Sequence, residues 1–144
     1  MKTLLIFLAV YIAMIAMSFW ESSVEGRNAG NRKKHGWRIK FLGRTITRYH
    51  FFLFVVMFPA LLSLPLIVSG WSTKLFGILL TAYLSGMVIE DFVWFLVNPV
   101  VKFSEWGPKL VNYYSWIKIG KVNIPVFYII NLLLCVIIWY FLWR

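Results

Sequence analysis

The sequence predicts an all-α integral membrane protein with four transmembrane helices, and two observations carry this prediction. First, 61% of the 144 residues are hydrophobic and only 14% are charged, against roughly a quarter charged in soluble domains. Second, four apolar stretches each approach the ~20 residues that a helix needs to cross a hydrocarbon layer. So much apolar sequence excludes a soluble globule and intrinsic disorder. The chain is expected to form a single domain over residues 1–144.

The four predicted transmembrane helices cover about residues 3–20, 51–70, 75–97 and 124–143. The first stretch could instead be a cleaved signal peptide, because Lys2 precedes a long apolar run, but no small-residue cleavage site follows it. Gly70 favours a helix end, and Ser72 or Thr73 can cap the start of the third helix. Pro59 and Pro65 should kink the second helix and leave backbone carbonyls for neighbouring helices to satisfy.

The loop between the third and fourth helices, residues 103–121, is expected to be an interfacial segment. Pro108 can open a short helix that carries Lys109 and Trp116 at helical spacing. Asn123 is expected to cap the fourth helix. We expect this interfacial segment to lie among the lipid headgroups and to cover the polar residues of the third helix.

The basic residues predict the orientation of the chain in the membrane. Twelve of the 15 Lys and Arg residues fall in the two long loops, between helices 1 and 2 and between helices 3 and 4. Because cytoplasmic loops carry the excess of Lys and Arg, both loops are expected in the cytoplasm and both termini outside. The expected location is the plasma membrane of a prokaryote.

The first cytoplasmic loop, residues 21–50, mixes basic with aromatic residues. The basic residues of its second half are Arg32, Lys33, Lys34, Arg38, Lys40, Arg44 and Arg48. Such a segment is expected to lie on anionic lipid headgroups, each basic residue contributing about 1 kcal/mol near the surface. Nucleic acid could use the same charges, but the loop holds no recognisable nucleic-acid-binding module. The lipid bilayer is therefore the expected partner.

Two adjacent carboxylates within the third helix are the most informative polar residues. A charged group at membrane depth costs at least about 2.5 kcal/mol, so it usually faces a partner or an enclosed pocket. Counting 1.5 Å per residue from the helix ends puts Glu90 of the third helix and Asn131 of the fourth helix at a similar depth. The predicted polar cluster consists of Glu90, Asp91, Asn131, Tyr128 and Asn98. His50 is an additional candidate, although it is expected about one turn shallower.

Other residues of the third helix are expected to avoid this cluster. Thr81 and Ser85 lie on the opposite side of the helix from Glu90. Their hydroxyls can bond to carbonyls of their own helix, which allows them to face lipid.

Three classes of function remain open. The leading hypothesis is a structural or interaction subunit, in a homo-oligomer or a larger membrane complex, whose acidic cluster fixes helix packing. The alternative is a transporter or channel component that carries protons, cations or small cationic solutes on Glu90 and Asp91. The third is a membrane enzyme acting on lipid headgroups, but no catalytic triad, His-rich metal motif or Gly-rich phosphate loop supports it. His50, Glu90 and Asp91 are suitable metal ligands without a recognised spacing, so a bound metal or other cofactor stays an open question. No catalytic residue is predicted.

The orientation gives the first testable prediction. Single cysteines at Ser23 and Ser115, in a Cys135→Ala background, should be shielded from an impermeant thiol reagent in intact cells, because both positions lie in the predicted cytoplasmic loops. Labelling is measured before and after permeabilisation. Labelling of both cysteines in intact cells would reverse the predicted topology.

Overall fold

The computed structural model describes residues 1–28, 36–41 and 44–144. Its four helices are long and apolar enough to span a membrane, which confirms the predicted fold class. The helices are α1 (Lys2–Glu25), α2 (Arg48–Ser69), α3 (Thr73–Val97) and α4 (Val126–Trp143). Residues 26–47 and 98–125 connect the helices at one end of the bundle, which we call the loop end.

The helix α3 is the centre of the bundle. It packs along α1 and against α4, whereas its contacts with α2 are sparse. A Cβ atom on Gly86 would lie 3.0 Å from the Met14 side chain of α1, and one on Gly77 would lie 2.7 Å from Cβ of Leu142 in α4. Glycine at these two positions therefore lets α1 and α4 approach the α3 backbone closely, as small residues do in membrane bundles.

The helix α1 is longer than predicted, since it ends at Glu25 rather than near residue 20. Its buried residues recur every three or four positions, which makes them one helical face. They are Val10, Met14, Ser18, Glu21, Ser22 and Glu25. The helix continues to Glu25 because its buried face stays packed against α3. On this face Ser18 Oγ donates to the backbone oxygen of Glu90 at 2.7 Å.

The helix α2 contains a π-helical stretch over Phe51–Met57, directly before Pro59. In a π-helix the carbonyl of residue i accepts from the N–H of residue i+5, and proline has no N–H to donate to Phe54. The hydroxyl of Tyr83 in α3 donates to the Phe54 oxygen instead. This confirms the prediction that proline in the second helix frees a carbonyl for a neighbouring helix.

Two small antiparallel hairpins lie at the loop end, and the sequence analysis predicted neither. The strands are β1 (Arg38–Phe41), β2 (Arg44–Thr47), β3 (Trp116–Ile119) and β4 (Val122–Pro125). β1 pairs with β2 and β3 with β4, and Arg44 forms an isolated bridge with Tyr114 that joins the two loops.

The second hairpin replaces two predicted helical features. The segment after Pro108 forms turns rather than a helix reaching Trp116, and Asn123 lies inside β4 instead of capping α4. Alternating β-branched residues favour strands here, and Gly120 has the positive φ of 60° that the tight turn requires.

The prediction for Thr81 and Ser85 is half right. Each hydroxyl does donate to a carbonyl of its own helix, at 2.8 and 2.7 Å. However, Trp143 Nε1 of α4 donates to Thr81 Oγ1 at 2.9 Å, and the Tyr11 hydroxyl of α1 lies 2.9 Å from Ser85 Oγ. These residues face neighbouring helices rather than lipid, because α1 and α4 flank α3 on both sides.

Candidate functional site

Four of the chain's five acidic residues meet in one enclosed place at the loop end. They line a cavity of about 10 Å³ together with one arginine and one histidine, which is room for about one water-sized ligand. Every member is at least nine-tenths buried. We call this group the acidic cluster, and its members are Glu21, Glu25, Glu90, Asp91, Arg44 and His50.

The carboxylates come from α1 and α3. Glu21 and Glu25 are one turn apart on the buried face of α1, and Glu90 and Asp91 are neighbours on α3. The carboxyl groups of Glu21 and Glu90 are close enough to interact directly. Glu90 therefore meets α1, whereas the predicted cluster groups it with Asn131 of the fourth helix.

His50 belongs to this group through α1. Its Nε2 atom lies 3.6 Å from Glu25 Oε1 and 3.9 Å from Glu21 Oε1, and its Nδ1 atom lies 2.6 Å from Thr47 Oγ1. The Tyr49 hydroxyl lies 3.2 Å from Nε2 and also donates to Glu25. The sequence places His50 about one turn shallower than Glu90. The carboxylates that His50 meets are instead those of the extended α1.

Arg44 was predicted to lie at the membrane surface, but it is buried, with only 7% of the residue exposed. Its guanidinium carbon lies 5.0 Å from the centre of the Phe127 ring and 5.5 Å from that of Tyr114. Burial opposes its charge, but the carboxylates of the cluster, Asp91 first among them, raise the pKa of Arg44 above its ordinary value. The hairpin explains this position, since β1 is exposed while the first residue of β2 points inward.

Asp91 is held by two tyrosines from different elements. Its Oδ1 accepts from the Tyr114 hydroxyl of the second loop, and its Oδ2 accepts from the Tyr128 hydroxyl of α4 at 2.7 Å. Burial raises the pKa of Tyr114 well above its ordinary value, so this hydroxyl keeps the proton that it donates. The expected contact between Tyr128 and Asp91 is therefore present, and the second loop covers the cluster as expected.

The polar atoms of the cluster are incompletely satisfied. Four buried atoms have no hydrogen-bond partner within the described part of the chain, namely Glu21 Oε1, Glu90 Oε1, Arg44 Nη1 and Trp94 Nε1. All four side chains line the same small cavity. An unsatisfied buried polar atom costs about 1–3 kcal/mol, and one guanidinium cannot neutralise four carboxylates. The cavity therefore offers two acceptor oxygens and two N–H donors to a small polar occupant.

The two asparagines of the predicted cluster lie elsewhere. Asn131 Nδ2 donates to the Leu84 carbonyl of α3 at 3.4 Å. Asn98 Nδ2 donates to the Gly26 carbonyl at 3.1 Å and thereby ties the end of α3 to the end of α1. Neither residue lines the cavity that the carboxylates share.

The other charged loop residues that the structure describes lie at or near the surface. Arg38, Lys40 and Arg48 are exposed, whereas Arg32, Lys33 and Lys34 fall outside the described residues. The fifth carboxylate, Glu105, pairs with Arg27, whose hydrogen bonds lower the pKa of Glu105 to about 2. Binding of this loop to anionic lipid remains a prediction.

Comparison with protein-family models, curated proteins and solved structures gives no match in any of the three. The function is therefore inferred from the geometry of the acidic cluster.

The position of Arg44 predicts a large effect of its removal. Arg44→Met should lower the free energy of unfolding by about 3–5 kcal/mol, because it leaves the buried carboxylates without their guanidinium. Unfolding is followed in detergent by circular dichroism. Arg38→Met, on the exposed strand of the same hairpin, is the control and should change stability by no more than about 0.5 kcal/mol.

The double variant Arg44→Met/Asp91→Asn should recover part of this loss, because it also removes one negative charge. Equal effects of Arg44→Met and Arg38→Met, or no recovery in the double variant, would show that Arg44 does not compensate the buried carboxylates.

Proposed function

We propose that this membrane protein binds a divalent metal ion in the acidic cluster, with Glu21, Glu25 and His50 as ligands. One observation carries the proposal. Each of these three buried residues offers a ligand atom, and the three atoms lie within 4.8 Å of one another. Ligands at about 2.0–2.2 Å from a shared ion are roughly 3–4 Å apart, so small side-chain rotations suffice to close the site.

The ligand chemistry favours a first-row transition ion. A histidine nitrogen with carboxylate oxygens suits Mn²⁺, Fe²⁺ or Zn²⁺ better than Ca²⁺, which prefers oxygen alone. With Nδ1 of His50 donating to Thr47 Oγ1, at 2.6 Å, Nε2 can offer its lone pair to the ion. Such a second contact typically orients a metal-binding histidine.

The charge of the cluster supports the same proposal. Asp91 is already held by two tyrosine hydroxyls and lies near Arg44. Within the described part of the chain the Oε1 atoms of Glu21 and Glu90 accept no hydrogen bond, and their side chains line the shared cavity. A divalent ion would offset two negative charges there, and Glu90 could supply a further oxygen.

A purely structural role is the second candidate, and the contacts of Asp91 favour it for that residue. The interaction of a structural subunit needs no metal, so metal analysis separates the two functions. A cation carrier would need metal flux in addition to binding, which uptake into proteoliposomes would measure.

Metal binding predicts stabilisation by a transition ion. For the detergent-purified protein stripped with chelator, Mn²⁺ or Zn²⁺ at 100 times its Kd should add about 2.7 kcal/mol to the free energy of unfolding. Mg²⁺ and Ca²⁺ should have much smaller effects. Thermal unfolding and elemental analysis of the dialysed protein give the readout.

Matched variants sharpen this experiment. Glu25→Gln and His50→Gln should fold and lose most of the stabilisation, whereas Glu105→Gln, which changes the acidic residue outside the cluster, should retain it. If metal stabilises Glu25→Gln, His50→Gln and Glu105→Gln equally, or does not bind the wild type, the proposed site is wrong. A structural role instead predicts that Glu25→Gln is as stable as the wild type or more stable without any metal.

A further inference from the structure

Three cavities follow one another from the first hairpin into the membrane-spanning part of the bundle. The first, about 440 Å³, lies at the loop end and is partly polar, and the second, about 240 Å³, is apolar. Both are lined by Phe41 and Arg44. The second and the third, of about 140 Å³, are both lined by Pro59 and Tyr83. These shared lining residues make the three cavities neighbours, and we call them together the α2–α3 cleft.

The deeper part of the α2–α3 cleft has an apolar lining. It runs along α2 from Phe54 to Leu66, which corresponds to about 18 Å of helix at 1.5 Å per residue. This length is comparable with one leaflet of a hydrocarbon layer ~30 Å thick. Leu84 and Met87 of α3 form part of the opposite wall. The dimensions and lining therefore suit one acyl chain.

Sparse packing of α2 against α3 leaves room for the cleft. A π-helical stretch precedes Pro59 in α2. The hydrogen bond from Tyr83 to the Phe54 carbonyl links the two helices, and Tyr83 lines both apolar cavities.

The head of the α2–α3 cleft is polar and basic. Its lining holds the cations Lys40 and Arg44, with neutral hydrogen-bonding side chains of Thr45, Asn112 and Ser115. The part of the lining that the structure describes contains no carboxylate. Two cations beside neutral donors match a phosphate group, which accepts charge-assisted hydrogen bonds.

We propose that the α2–α3 cleft binds one anionic phospholipid from the leaflet at the loop end. Its phosphate lies beside Lys40 and Arg44, and one acyl chain lies between α2 and α3. The polarity supports this direction, since the basic head is at the loop end and the apolar part runs towards the opposite face. The inference is independent of metal binding, because the acidic cluster contributes only Arg44 to the lining of the cleft.

The proposed headgroup site is a neighbour of the acidic cluster. The head of the cleft and the cluster cavity share Arg44, Tyr113 and Tyr114 as lining residues. A bound phosphate would therefore lie on the other side of these side chains from the carboxylates.

Native mass spectrometry of the full-length protein tests the headgroup. The probes are phosphatidylglycerol and phosphatidylcholine with identical acyl chains, added to delipidated protein in detergent. One phosphatidylglycerol should be retained in preference to phosphatidylcholine. Lys40→Gln should weaken this binding roughly fivefold, in line with the contribution of one basic residue. Lys118→Gln, on the exposed second hairpin, is the control and should bind as the wild type does.

The acyl-chain part of the cleft needs its own variants. Leu84→Trp should fill the second cavity and abolish retention, whereas Leu133→Trp, at a position 58% exposed on α4, should have no effect. Leu66→Trp should shorten the cleft and shift retention towards lipids with shorter chains. This shift decides the question even if Leu84→Trp fails to fold.

Equal retention of the two headgroups, or equal retention by the Lys40→Gln and Lys118→Gln variants, would overturn the headgroup assignment. An unchanged chain-length profile in Leu66→Trp, or lipid binding by a folded Leu84→Trp variant, would overturn the acyl-chain assignment.

Discussion

The burial of one guanidinium among four carboxylates is the constraint on which the rest of this structure depends. Charged groups inside a bilayer are expensive unless they are paired or enclosed. Arg44 reaches the carboxylates only because the first hairpin turns its second strand inward. Asp91 is reached by tyrosines from the second loop and from α4. Arg44 of the first loop and Tyr114 of the second therefore attach both loops to the buried carboxylates at the end of the bundle.

Within the cluster the charges divide into two parts. Asp91 has two tyrosine donors and the nearby Arg44, so its surroundings resemble those of a packing residue. Glu21 and Glu25 instead face His50, and Glu21 and Glu90 each have one oxygen that accepts no hydrogen bond from the described residues. This unequal satisfaction is the reason to infer a metal ion at the second part. A structural role accounts for Asp91, because both of its oxygens accept hydrogen bonds. It does not account for Glu21, Glu25 and Glu90.

The sequence predicts the fold better than the site, for physical reasons. Bilayer thickness fixes the length of a spanning helix, so four spans follow from composition alone. The buried pair Glu90 and Asp91 follows from the cost of membrane charges, but their partners depend on which helix lies opposite. The spacing of Met14, Ser18, Glu21 and Glu25 could have revealed that α1 continues. The inward turn of Arg44 has no comparable signal, because an isolated two-stranded hairpin is only marginally stable and depends on packing against elements distant in sequence.

Pulsed electron paramagnetic resonance of Mn²⁺ bound to the detergent-purified protein tests the central claim most directly. If His50 is a ligand beside Glu21 and Glu25, the bound ion should show hyperfine coupling to a histidine nitrogen. His50→Gln should abolish this coupling, while Glu105→Gln should preserve it. Bound Mn²⁺ without nitrogen coupling in the wild type, or only the signal of the hydrated ion, would contradict metal binding at this triad.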